Sequence, residues 1–137
     1  MKKKYKEHIL IVEDGGETLA MIRGNLESKG YQTSSAPDAF KAIRILDSAD
    51  IDLVILDIKI TENKEINLVK YIREKYKNIE IVVTTGSPSM KGTAQAAKFG
   101  TEEYLSRPFT GKTLNIAVKR ACEKLQMRKT MKAQLNK

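Results

Sequence analysis

The feature that most constrains the fold is a series of short strand-like runs, each closed by polar residues. Ile9-Leu10-Ile11-Val12 precede Glu13-Asp14, and Leu53-Val54-Ile55-Leu56 precede Asp57. Ile81-Val82-Val83-Thr84 precede Thr85, and Glu103-Tyr104-Leu105-Ser106 precede Arg107-Pro108. A run of four branched or aliphatic residues reads as a strand covered on both faces, the habit of parallel sheets. Ligands of open α/β sheets bind beyond the carboxyl ends of the strands. The pattern therefore gathers carboxylates, a hydroxyl and a cation at one sheet edge, a set suited to phosphate and a metal ion.

Strand-like runs are expected near 8–13, 31–35, 51–57, 79–85 and 102–105. Helical periodicity fills the gaps. Leu19, Ile22 and Leu26 mark a helix over 17–29, stopped at Gly30. Pro37-Asp38 open a second, with Phe40, Ile43 and Leu46 as its apolar face. Ile66, Val69, Ile72 and Tyr76 mark a third. Ala94, Ala96 and Ala97 line a fourth, between Pro88 and Gly100. Leu114, Val118, Ala121 and Leu125 mark a last helix that starts near Thr110. Alternation of this kind predicts an α/β fold whose parallel sheet carries helices on both faces.

With 137 residues the chain has the length of one domain and no stretch near the roughly 20 apolar residues that span a bilayer. The basic start is followed by only four apolar residues before Glu13-Asp14, unlike a signal peptide, so a cytoplasmic protein is expected. Cys122 and His8 are the only cysteine and histidine. That excludes an internal disulfide and leaves nothing from which to build a multi-histidine zinc site or a Ser-His-Asp triad. The net charge of +8 is concentrated at the ends: the first six residues carry +4 and residues 112–137 carry +7, while 7–111 carry −3. Basic tails of this kind are mostly solvated; contact with nucleic acid is expected at most through them.

Whatever chemistry occurs must then use carboxylates and bound ions. Glu13, Asp14 and Asp57 repel one another unless a cation lies among them. An all-oxygen ligand set with room for water suits Mg²⁺. A neutralised Asp57 can attack phosphorus, with Thr85 donating to a phosphoryl oxygen and Arg107 offsetting its charge. Taken singly, an aspartate at a strand end more often caps a loop, and Arg107 is an ordinary surface charge. The ordered combination is what points to phosphoryl chemistry.

These segments together resemble the response regulator receiver domain, the CheY-like phosphoacceptor module of two-component signal transduction, over roughly residues 7–125. Ile9 to Asp14 resembles the first strand and its Mg²⁺-holding acidic pair. Asp52 to Asp57 resembles the third strand, ending in the phosphorylated aspartate. Ile81 to Gly86 resembles the fourth strand, with Thr85 as the switch hydroxyl and Gly86 as its small neighbour. Tyr104 to Phe109 resembles the fifth-strand motif, with Tyr104 as the switch aromatic. The resemblance implies a doubly wound, flavodoxin-like, five-stranded sheet of order 2-1-3-4-5. It also implies a cis bond before Pro108 and metal ligation by Glu13, Asp14, Asp57 and the backbone carbonyl of Lys59. Two departures stand out. The family's lysine before proline is Arg107, and a planar guanidinium is no conservative stand-in for an ammonium. The Met-Pro pair usual after the acceptor is Ile60-Thr61, with Glu65 where a glycine is usual.

On this reading the chain accepts a phosphoryl group from a histidine kinase or phosphotransfer protein and switches a protein-binding surface, without turning over as an enzyme. Its output would be a downstream target or a C-terminal output domain. A homodimer through the helices of 88–100 and 110 onward is a further family expectation. Residues 1–6 form a basic arm, and 126–137 form a basic helical extension or the start of a linker. A second reading makes the chain a degenerate receiver, a phosphorylation-independent docking module disabled by Arg107. A third reads Asp57-Ile-Lys-Ile-Thr61 as the nucleophile motif of a Mg²⁺-dependent aspartyl-phosphate phosphatase; it lacks the general acid, since Lys59 stands in that place.

Overall fold

The computed structural model describes residues 6–61, 67–86 and 103–135. In chain order the elements are β1 (His8–Val12), α1 (Gly16–Ser28), β2 (Gln32–Ala36), α2 (Ala39–Ser48) and β3 (Leu53–Asp57). A helical turn, α3 (Ile58–Thr61), then α4 (Leu68–Lys75), β4 (Glu80–Thr85), β5 (Glu103–Ser106) and α5 (Gly111–Leu135) complete it. The five strands form one parallel sheet in the order β2-β1-β3-β4-β5, as the resemblance implies. The expected helix of 88–100 and residue Ile66 lie outside the described residues.

Two apolar layers follow from the period-2 alternation of the strands. Ile9, Ile11, Leu53, Ile55, Val82 and Leu105 face one side, where they pack with Ile22 and Leu26 of α1 and with Leu114, Val118 and Ala121 of α5. Leu10, Val12, Val54, Leu56, Ile81 and Val83 face the other, with Ala42 and Leu46 of α2 and Leu68, Val69 and Ile72 of α4. All three central strands are buried along their length apart from His8, which is why their middles run apolar and polar residues stand only at their ends.

Local signals set the helix ends. Asp38 caps α2 by accepting from Lys41 N (2.9 Å), and Asn67 caps α4 by accepting from Lys70 N (3.1 Å). Thr110 accepts from Thr113 N at the start of α5 (3.1 Å). Gly30, at φ +93°, ends α1 in a conformation that a side chain would strain. In α2 the expected apolar face is shifted. Phe40 is 54% exposed, whereas Ala39 and Ala42 are buried with Leu46. The small residues let the helix sit close to the sheet, and the aromatic ring is turned out. Pro37 precedes the Asp38 cap rather than opening the helix. The third helix ends at Lys75, with Tyr76 as its C-cap.

The last helix runs unbroken to Leu135. Its sheet-facing residues end at Leu125, and Met127, Met131 and Leu135 are exposed. Charge also holds it: Lys124, beside the last core residue, pairs with Glu103 (3.5 Å), and beyond the core Arg128 pairs with Glu80 and donates to Lys77 O (3.1 Å). No described helix is long and apolar enough to cross a membrane.

Candidate functional site

Register explains why the polar strand ends meet. Val12 lies opposite Leu56, so the next residues, Glu13 and Asp57, come level. Asp57 is opposite Thr84, and Thr85 is opposite Ser106. Glu13, Asp57 and Arg107 also share the parity of Ile11, Ile55 and Leu105, whose side chains face α1 and α5. Thr85 and Tyr104 have the opposite parity. Strand pairing alone thus brings two carboxylates and one cation to the same place.

One carboxylate oxygen from each of Glu13, Asp14 and Asp57 lies within 4.8 Å of the other two. Glu13 is 4% and Asp57 3% exposed, while Asp14 faces solvent. Asp57 Oδ1 accepts from Lys59 N (3.0 Å) in the turn of α3, and Asp57 Oδ2 pairs with the Arg107 guanidinium. The other end of that guanidinium lies 3.8 Å from Glu13 Oε1. Arg107 N donates to Thr85 O (2.7 Å), tying the loop after β5 to the end of β4. Burial pushes the Glu13 carboxyl above its usual range, with the Asp57 and Asp14 charges adding to it, against the lowering by Gly15 N–H and Arg107.

Glu13, Asp14, Asp57 and Arg107 therefore meet, and the oxygen-only cluster fits a hard divalent cation such as Mg²⁺. The Lys59 side chain is exposed, so only its backbone belongs to the pocket. Thr85 is buried at 2% exposure beside the pocket, and nothing described lies within 4 Å of a Cβ at Gly86. Tyr104 is partly buried against the α2–α4 layer, with a buried hydroxyl that has no hydrogen-bond partner among the described residues. The Arg107–Pro108 bond is cis.

Two features of the site have no counterpart in the sequence reading. The Arg107 guanidinium pairs with the carboxylates themselves. Gly15 is the second: its N–H donates to Glu13 Oε1 (3.1 Å), and a Cβ there would come within 3.1 Å of the same oxygen. The glycine pair straight after Glu13-Asp14 is the signal that could have found it.

The family model of the response regulator receiver domain matches residues 9–119. The aerobic respiration control protein ArcA of Escherichia coli (strain K12) is 31% identical over 109 residues, 80% of this chain and 45% of ArcA. An NtrX-like response regulator of Rickettsia felis is 28% identical over 123 residues, 88% of this chain and 26% of the relative. The chain thus spans less than half the length of either relative. In structure, it is similar to the signal receiver domain of an HD domain-containing protein from Pseudomonas fluorescens Pf-5, at 28% identity. The TM-score is 0.82, over 89% of this chain and 98% of that one.

Proposed function

The chain belongs to the response regulator receiver domain family of two-component signalling, and on that footing we propose that Asp57 is its phosphoacceptor. The family's members are signalling proteins rather than turnover enzymes. The observation that carries the reading is the meeting of Asp57 with Glu13, Asp14 and Arg107 at the carboxyl edge of the sheet.

In the proposed reaction a carboxylate oxygen of Asp57 attacks phosphorus as the bond to a histidine nitrogen of the donor breaks. The leaving imidazole keeps the electron pair and the acyl phosphate forms on Asp57. Glu13, Asp14, Asp57 and the Lys59 carbonyl would hold Mg²⁺, which supplies charge stabilisation to the transferring group. Arg107 lies close enough to offset charge on the new phosphoryl oxygens, and Thr85 donates its hydroxyl to one of them. Drawing Thr85 toward that group alters the surroundings of Tyr104, which lies on the same face of the neighbouring strand opposite Val83, and shifts the population of surfaces presented by β5 and α5. A histidine kinase or phosphotransfer protein is the proposed donor, and a protein target or attached output domain the proposed reader.

The test is intact mass after incubation with Mg²⁺ and phosphoramidate. One phosphoryl group is expected on the wild type, with none on Asp57→Asn or without Mg²⁺. A second reading, the phosphorylation-independent docking module, is favoured by the hold that Arg107 already has on Asp57. It predicts no adduct under the same conditions and no change on adding beryllofluoride.

A further inference from the structure

Two buried carboxylates and a third at the rim cannot sit together without a counter-charge. Among the described residues, the Arg107 guanidinium is the only cation that reaches Asp57 and Glu13. It bridges them, one terminal nitrogen on Asp57 Oδ2 and the other 3.8 Å from Glu13 Oε1. The fit is driven by charge rather than by complete hydrogen bonding, because Arg107 Nε is buried with no partner among the described residues. A buried donor left unpaired disfavours the geometry that strands it, so the arrangement keeps a reason to dissolve.

The carboxylates that Arg107 holds are two of the three a divalent cation would need. A metal ion among Glu13, Asp14 and Asp57 would draw on the same two carboxylate groups that the guanidinium pairs with, placing two cations against one pair of ligands. A lysine ammonium is a compact point charge on a flexible stem, whereas a guanidinium is a rigid fork that engages two carboxylates together.

We propose that Arg107 is the resting occupant of this acidic pocket and that a divalent cation and the guanidinium are alternatives there, so that metal affinity is set by a competition inside the chain. The proposal rests on reading Glu13, Asp14 and Asp57 as the metal site. It gives Arg107 a positioning role before any phosphoryl group arrives. It also makes metal binding a structural event: Arg107 is bonded through its backbone to Thr85 and is followed three residues later by Thr110, the cap of α5. A cation entering the pocket therefore releases the side chain that ties β5 to β3 and β1.

The experiment is Mg²⁺ binding by isothermal titration calorimetry, beside thermal unfolding with and without saturating Mg²⁺. The proteins are the wild type, Arg107→Met, Arg107→Gln and Asp14→Ala. Removing the competitor is expected to tighten Mg²⁺ binding about tenfold, the ordinary scale of coupling between two sites. The same substitution is expected to lower the metal-free unfolding midpoint, with the gap to wild type closing once Mg²⁺ is saturating. Arg107→Gln keeps polarity without charge and decides the matter if the methionine variant does not fold. Equal or weaker Mg²⁺ binding in both Arg107 variants, with Asp14→Ala still impaired, overturns the competition and leaves the metal site standing. Binding that is absent in the wild type and in every variant overturns the metal site itself, and the competition with it.

Discussion

The two edges of the sheet each hold an aspartate facing a cation, yet the two pairs do different work. At the carboxyl edge the side chains of Asp57 and Glu13 are 4% and 3% exposed, and Arg107 is 24% exposed. At the amino edge Asp47, 39% exposed, pairs with Lys75, 52% exposed, at 2.9 Å. Asp47 is richly served: Tyr71 and Tyr76 hydroxyls donate to it, and Lys75 also lies over both rings at 5.4 and 5.6 Å. The exposed pair has more partners than the buried one, and water can replace each of them. In the buried pocket nothing replaces Arg107 except another cation. Partner number measures how satisfied a charge is; burial decides how much stability is lost with the partner.

Asp57→Asn is the severest way to break the contrast. Phosphoryl uptake should fall to nothing while far-ultraviolet circular dichroism stays unchanged; uptake at the wild-type rate would place the acceptor elsewhere. Arg107→Ala comes next. Without metal it strands two buried carboxylates, and urea unfolding should show a loss of roughly 2 kcal/mol, reduced from the full buried-pair value because Arg107 is partly solvated. An unchanged midpoint would mean that water already screens the pocket.

An intermediate case lies on α5. Glu80 has a side chain only 8% exposed, facing an Arg128 that is 40% exposed. Arg128→Ala should cost about 1 kcal/mol and speed amide exchange from Gln126 onward; protection unchanged there would show that the helix end does not depend on this clamp. The smallest effect belongs to Asp47. The Tyr76 and Lys75 hydrogen bonds hold its carboxyl below the usual range. Its contribution is complete above the unfolded value near about 3.9 and is lost as pH falls through the lower folded value. Asp47→Asn should therefore lower stability by a small, constant amount near neutrality and flatten the acid limb below about pH 4; an acid limb as steep as the wild type's would contradict this placement.

Strand positions and the polar residues that end them are legible in the chain because buried parallel strands must be apolar and their ends must not be. The site inherits that clarity: Glu13, Asp14, Asp57, Thr85 and Arg107 are all found by position. What they touch is not, since a strand end fixes where a side chain starts and not which partner it chooses. The sequence pattern assigns Arg107 to an incoming phosphoryl group, whereas the structure has it on the carboxylates. The face of α2 is misread for a related reason. Periodicity places Phe40 and Ala39 beside each other, and hydrophobicity favours the larger side chain, but a helix lying close to a sheet selects the smaller.

The unbroken course of α5 fixes an angle as well as a distance. Each helical residue advances about 1.5 Å and turns about 100°, so Met127, Met131 and Leu135 keep a set azimuth relative to the pocket at Asp57. Inserting one residue after Arg128 would leave the sheet, both core layers and the clamp to Glu80 as they are. It would nonetheless swing Met131 and Leu135 by more than a quarter turn. Any partner that docked on that end of the helix would depend on its phase, and one residue would be enough to put it out of step.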